Sequence, residues 1–158
     1  MHTPMTVFEN VWLADDDNDD CEIFEEAIRQ ILPSVSLLIV KDGEELMTQL
    51  EHTKPPDILF LDINMPARDG LDCLKEIRSQ KRFEKLPIVI FSSSIQPRHV
   101  EESYGLGANL YYSKPLTFTN LIAGLGRIFQ MNWNDPYTIT SAHFIDNKYV
   151  PFKPDILN

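Results

Sequence analysis

Four stretches of this chain carry side chains whose types and spacing suggest that they act together. They are Asp15-Asp16-Asp17, then Asp62 followed by Asn64-Met65-Pro66 and Asp69-Gly70, then Ser92-Ser93-Ser94, and finally Lys114-Pro115. Carboxylates gathered without arginine partners repel one another, and hard oxygen donors of that kind suit Mg²⁺. A divalent ion offsets the repulsion and attracts a phosphoryl group. A hydroxyl and an ammonium on the far side of that group would stabilise the charge that spreads over its oxygens in transfer. The nucleophile is then one of the carboxylates, and the product an aspartyl phosphate. The four histidines are scattered without metal-ligand spacing, so none is a candidate catalyst.

These residues lie far apart in sequence, so the fold must bring them together. Val11 to Ala14 is a short apolar run, and Ile23, Phe24, Ala27, Ile28 and Ile31 then recur at helical spacing until Pro33 ends the pattern. Val35 to Val40 reads as a strand, and Asp42-Gly43 as a turn and cap before a helix with Leu46, Met47 and Leu50. Pro55-Pro56 precedes the apolar run Ile58 to Leu61, and Gly70 opens a helix with Leu71, Leu74 and Ile77 on one face. A further strand runs from Ile88 to Phe91, followed by a helix opened by Pro97 and ending near Gly105. Leu110 to Tyr112 is the last strand, and Phe118, Leu121, Ile122, Leu125, Ile128 and Phe129 mark the last amphipathic helix.

Five β-α units follow one another in this pattern, with strands apolar throughout, as a parallel sheet buried on both faces requires. The expected fold is α/β, a doubly wound five-stranded parallel sheet with right-handed crossovers. Ligands in such sheets bind beyond the carboxyl ends of the strands. Asp15 to Asp17, Asp62, Ser92 to Ser94 and Lys114 each follow or end a strand.

Taken singly, each position has a plainer reading. Asp15 to Asp17 would serve to cap the first helix, and Asp62 to start a turn. Ser93 or Ser94 would replace Ser92 if the strand ended one residue later, Lys114 would do as a surface lysine, and Tyr112 competes with Tyr111 for the inward position. Asp19 and Asp20 read as solvated or capping residues outside the metal shell.

Taken together, Ala14-Asp15-Asp16-Asp17, Leu61-Asp62-Ile63-Asn64-Met65-Pro66 with Asp69-Gly70, Phe91-Ser92-Ser93 and Tyr111-Tyr112-Ser113-Lys114-Pro115 closely resemble response-regulator receiver domains of the (βα)5 flavodoxin-like fold. The likeness runs from about Val11 to Gln130, with the four elements in the right order and at the right gaps. It implies that Asp62 is the phosphoacceptor. Asp16 would be a direct Mg²⁺ ligand, Asp15 would act mainly through metal-bound water, and the backbone carbonyl of Asn64 would complete the protein ligands beside Asp62. Ser92 matches the switch hydroxyl, Lys114 the lysine that contacts the phosphoryl group, and Tyr111 the aromatic that turns inward with the switch. The Lys114-Pro115 bond would be cis. Asn64 and Ser94, small and polar, occupy the positions that govern hydrolysis of the phosphoaspartate in the family, and imply a phosphoryl lifetime that is not extremely long.

Composition narrows the setting. The chain has 158 residues, 43% hydrophobic and 24% charged, a size and balance that suit one soluble domain. A net charge of −10 argues against nucleic acid and anionic membranes as partners. Met1 to Asn10 carries no signal-peptide pattern, and the cytoplasm is the expected compartment. Cys21 and Cys73 fall in expected helices, so they read as buried thiols and not as a disulfide. Residues 8–131 are expected to form the receiver domain. Residues 132–158 form a tail too short for a separate output domain, which is either packed on the domain or a partner, or disordered.

The leading expectation is a stand-alone receiver fed by a sensor histidine kinase or a histidine phosphotransfer protein. Its only chemistry would be its own phosphorylation and dephosphorylation, and it would signal by protein-protein contact. Pairing of two copies through the fifth-helix face is part of that expectation. An aspartyl-phosphate hydrolase of the haloacid dehalogenase type is an alternative, but it needs a second Asp where Asn64 stands. A degenerate receiver scaffold is the third reading, and the intact Asp16, Asp62, Ser92 and Lys114 argue against it.

Overall fold

A computed structural model of the chain describes residues 7–154. The sequence readings for residues 1–6, and for the last four residues of the tail, lie outside it. Five parallel strands form one sheet in the order β2-β1-β3-β4-β5: β1 (Asn10–Ala14), β2 (Ser36–Val40), β3 (Ile58–Leu61), β4 (Ile88–Ser92) and β5 (Leu110–Ser113). The helices between them are α1 (Asn18–Ile31), α2 (Gly43–His52), α3 (Gly70–Arg78), α4 (Pro97–Gly105) and α5 (Phe118–Phe129). Strand order reverses between β1 and β3, and a crevice at the carboxyl ends of the strands follows from that reversal.

The sheet separates two cores. Alternate strand residues Leu13, Phe60, Phe91 and Tyr112 face α1 and α5, while Trp12, Leu61, Ile90 and Tyr111 face α2, α3 and α4. Strand side chains point alternately to the two faces, so both sets must be apolar. Asp17, Asp42, Asp69 and Thr117 cap α1, α2, α3 and α5 by accepting the backbone N–H three residues on. Ile23 departs from the expectation. Although it shares the helical pattern of α1, it is exposed, because Phe24, Ala27 and Ile28 already fill that interface.

The wide apolar stripe of α5 is mostly core. Leu121, Leu125, Ile128 and Phe129 are buried, and Phe118 and Ile122 pack partly against them. Beyond α5 the chain folds back onto the domain through α6 (Pro136–Ala142) and a hairpin of β6 (Phe144–Ile145) and β7 (Lys148–Tyr149). Asp146 and Asn147, with φ of 51° and 65°, supply the left-handed turn between these two strands. Trp133, Ile139 and Phe152 join the core on the α1/α5 side, and Trp133 Nε1 donates to Ile128 O at 2.7 Å. Both cysteines are buried free thiols, and burial pushes them up to about 11 for Cys21 and about 12 for Cys73. No helix among the described residues is long and apolar enough to cross a membrane.

Candidate functional site

Three residues of the site continue the sheet's hydrogen bonding one step past the strands. The amide of Asp15 donates to Val40 O (3.0 Å), that of Asp62 to Ala14 O (2.9 Å) and that of Lys114 to Ser92 O (2.8 Å). The backbone of each is therefore set by the rigid sheet. Asp15 and Ser92 are fully buried and Asp62 nearly so, whereas Asp16 is exposed at the rim. Beneath Asp62 lies the start of α3. A Cβ on Gly70 would fall 1.9 Å from Asp62 O, so only glycine lets the helix approach this closely.

The side chains converge as the spacing suggested. One carboxylate oxygen from each of Asp15, Asp16 and Asp62 lies within 4.8 Å of the others. Lys114 Nζ lies 2.8 Å from Asp15 Oδ2, 2.8 Å from Asp20 Oδ2 and 3.1 Å from Asp62 Oδ2. The bonds to Asp20 and Asp62 are hydrogen bonds. Asp15 Oδ2 is close enough for an ion pair, yet it is buried with no donor aligned on it. A buried anionic oxygen left in that state calls for a further cation. The all-carboxylate donor set fits a hard divalent ion.

Burial raises the Asp62 carboxyl to about 6; Lys114 works against that rise and the neighbouring Asp15 adds to it. Burial alone would lower Lys114, but the Asp15 and Asp20 carboxylates against its Nζ, together with the charge of Asp62, hold it above the ordinary lysine range. A carboxylate that resists ionisation and an ammonium that stays charged are thus in direct contact.

The serines and tyrosines take distinct places. Ser92 Oγ is buried at the end of β4 and accepts from Ser94 N at 3.2 Å, whereas Ser93 is exposed and Ser94 Oγ is bonded to His99 Nδ1. Tyr111 is the tyrosine on the α4 side of β5. It is fully buried, and its hydroxyl donates to Ser94 O at 2.9 Å. Tyr112 faces the opposite core, where its hydroxyl crowds Gly124.

Two expectations need correction. The Lys114-Pro115 bond is trans, since none of the described peptide bonds is cis. Trans is the lower-energy isomer by about 0.5–1 kcal/mol unless packing demands the other, and Lys114 reaches its carboxylates without the cis form. Asp20, read as a solvated or capping residue outside the metal shell, does lie outside the carboxylate group, but it puts its part-exposed carboxylate on Lys114. The available signal was its place three residues after the Asp17 cap, in the first turn of a helix that starts at the sheet edge. The bond between His99 and Ser94 had no signal in the sequence. Asn64 is exposed in the loop after β3.

Comparison with known proteins agrees with the fold. Residues 11–125 match the family model for the response regulator receiver domain. Response regulator Rcp1 of Synechocystis sp. is 26% identical over 138 residues, covering 84% of this chain and 93% of that protein. Its Mn²⁺-bound crystal structure superposes with a TM-score of 0.70 at 26% identity, over 76% of this chain and 91% of that one. The phosphorylated cyanobacterial phytochrome response regulator RcpA gives 0.72 at 28% identity, over 77% and 91%. Response regulator RPA3017 of R. palustris shares the fold over 92% of this chain and 99% of its own, at TM-score 0.71 and 23% identity. This chain therefore belongs to the response regulator receiver family, the phosphoryl-accepting signalling domains of two-component systems.

Proposed function

We propose that Asp62 of this chain accepts a phosphoryl group from a sensor histidine kinase or a histidine phosphotransfer protein, with Mg²⁺ bound by Asp15, Asp16, Asp62 and the Asn64 carbonyl. The observation that carries this reading is the buried contact of Asp62 with Lys114, beside two further carboxylates whose oxygens lie within 4.8 Å. An Asp62 oxygen forms the new O–P bond as the P–N bond of the donor phosphohistidine breaks. The electron pair leaves on the imidazole nitrogen. Mg²⁺ would supply charge compensation, drawing phosphoryl oxygens toward a site otherwise too anionic to receive them. Lys114 offers an N–H to one phosphoryl oxygen and Ser92 an O–H to another. Rcp1 in its Mn²⁺-bound form and RcpA in its phosphorylated form support the same reading.

Output would pass by protein-protein contact, in a cytoplasmic setting, from residues 8–131 acting as the receiver with 132–158 as its tail. Two copies of the chain are one such pairing. RcpA is a cyanobacterial phytochrome response regulator, so a phytochrome-type histidine kinase is the donor to try first. The decisive experiment is labelling by a small phosphodonor in Mg²⁺. Wild type should take the label, Asp62→Asn should not, and Asp16→Ala should lose most of its Mg²⁺ affinity by calorimetry. Equal labelling of wild type and Asp62→Asn would end this reading.

A further inference from the structure

Lys114 has three carboxylate neighbours, but only two of them belong to the group whose oxygens can share a cation. Asp15 and Asp62 are in that group with Asp16; Asp20 is not. Yet Asp20 Oδ2 accepts a hydrogen bond from Nζ at 2.8 Å, shorter than the 3.1 Å bond from Nζ to Asp62. The Asp20 side chain keeps 37% of its exposure and borders a cleft of about 90 Å³ with Phe91, Pro115 and Leu121. Its backbone is not free to drift. The Asp20 amide donates to the Asp17 cap at 3.0 Å, so the carboxylate is carried by the first turn of α1 and not by a loop.

We propose that Asp20 is a positioning residue for phosphoryl transfer, tethering the Lys114 ammonium so that Lys114 must give up an Asp20 oxygen to take a phosphoryl oxygen. This inference rests on the reading of Asp62 as phosphoacceptor. In the transfer an Asp62 oxygen bonds to phosphorus, the bond from phosphorus to the donor breaks, and its electron pair leaves with the donor. The charge left on the phosphoryl oxygens then needs Lys114, whose Nζ already lies within 3.1 Å of three carboxylate oxygens and donates to two of them. A phosphoryl dianion arriving beside Asp20 also places two anions on one ammonium. Asp20 therefore holds the resting site and slows its loading.

The test is the initial rate at which phosphoramidate labels the full chain in Mg²⁺, for wild type, Asp20→Asn, Lys114→Ala and the double variant. Asp20→Asn should label about two- to fivefold faster, the size expected of a part-exposed ion pair. In the Lys114→Ala background the same substitution should change the rate by less than about 1.5-fold, because the tether's target is gone. Calorimetry should give Asp20→Asn the Mg²⁺ affinity of wild type within about twofold, since Asp20 lies outside the cation-sharing group. The inference fails if Asp20→Asn brings no acceleration, or an acceleration that persists undiminished without Lys114. It fails also if Mg²⁺ affinity drops tenfold or more, which would make Asp20 a ligand. A wild type that takes no label would strike the phosphoacceptor reading, and this inference with it; a labelled wild type with unaltered Asp20→Asn strikes the inference alone.

Discussion

At the scale of single residues, Asp62 is held where its ionised form is disfavoured. Its carboxyl lies at about 6 against 3.8 in the unfolded chain. Between those values the folded state binds the extra proton, so this contribution is present below about pH 4 and is lost as pH rises through 6. For the metal-free protein we expect Asp62→Asn to gain stability relative to wild type as pH rises, by about 1–3 kcal/mol between pH 4 and pH 7. Urea melts in EDTA at both pH values measure it, and a difference that does not change with pH would refute it. Gly70 acts on the same residue by shape alone. Since a Cβ there would meet Asp62 O at 1.9 Å, Gly70→Ala must displace the Asp62 backbone. We expect labelling to fall about tenfold or more, with a modest loss of stability. A crystal structure of the variant with Asp62 unmoved would contradict the argument.

At the scale of elements, Arg78 ties the end of α3 to the turns at the far edge of the sheet. Its Nε donates to Gly107 O (2.8 Å), its Nη1 to Phe83 O (2.6 Å), and its Nη2 to Leu86 O (2.8 Å) and Asn109 Oδ1 (2.9 Å). Asn109 Oδ1 in turn accepts from Ile88 N at the start of β4. Burial lowers the guanidinium to about 10, yet it remains charged at neutral pH, and four of its five N–H groups have acceptors. Arg78→Ala would take the donor from the part-buried carbonyls of Gly107 and Leu86 and cut the tie between α3 and these turns, and we expect a loss of about 2–4 kcal/mol in denaturant unfolding. Arg78→Lys should recover little of it, because one ammonium cannot span acceptors arranged for a planar fork. Full recovery by lysine would mean that charge, not geometry, is what the site uses.

At the scale of the whole molecule, the tail as far as residue 154 is part of the domain's structure. Phe152 N donates to Tyr111 O at 2.7 Å, which caps the outer edge of β5. Tyr104 Oη donates to Val150 O at 3.0 Å and accepts from Tyr111 N at 3.0 Å, and Tyr104 stacks on Tyr149. The same Tyr111 reaches toward the site through its hydroxyl on Ser94 O, so one residue touches both the loop after β4 and the tail. A chain ending at Gln130 loses the burial of Trp133, Ile139 and Phe152. We expect it to be less stable by about 3–6 kcal/mol, read as a lower urea midpoint. An unchanged midpoint would mean that the tail rests on the domain without supporting it.

Much of this protein was legible in the order of its residues. Short apolar runs such as Ile58–Leu61 and Ile88–Phe91 require burial on both faces, and alternation with amphipathic helices then leaves few topologies. Once the strands are parallel, residues following their carboxyl ends meet at one edge, so Asp15, Asp62, Ser92 and Lys114 could be assembled from sequence alone. Choices that depend on distance in space could not. That Asp20 reaches Lys114 and that His99 engages Ser94 both follow from side chains and loops competing for the same few ångströms. The fate of the tail was settled the same way: its aromatic residues would suit either a partner or its own domain. Only the exposed flank of β5 and α5, once formed, gives Phe152 and Trp133 a surface to cover. Local pattern fixes what each segment must bury, whereas tertiary packing decides which neighbour it is buried against.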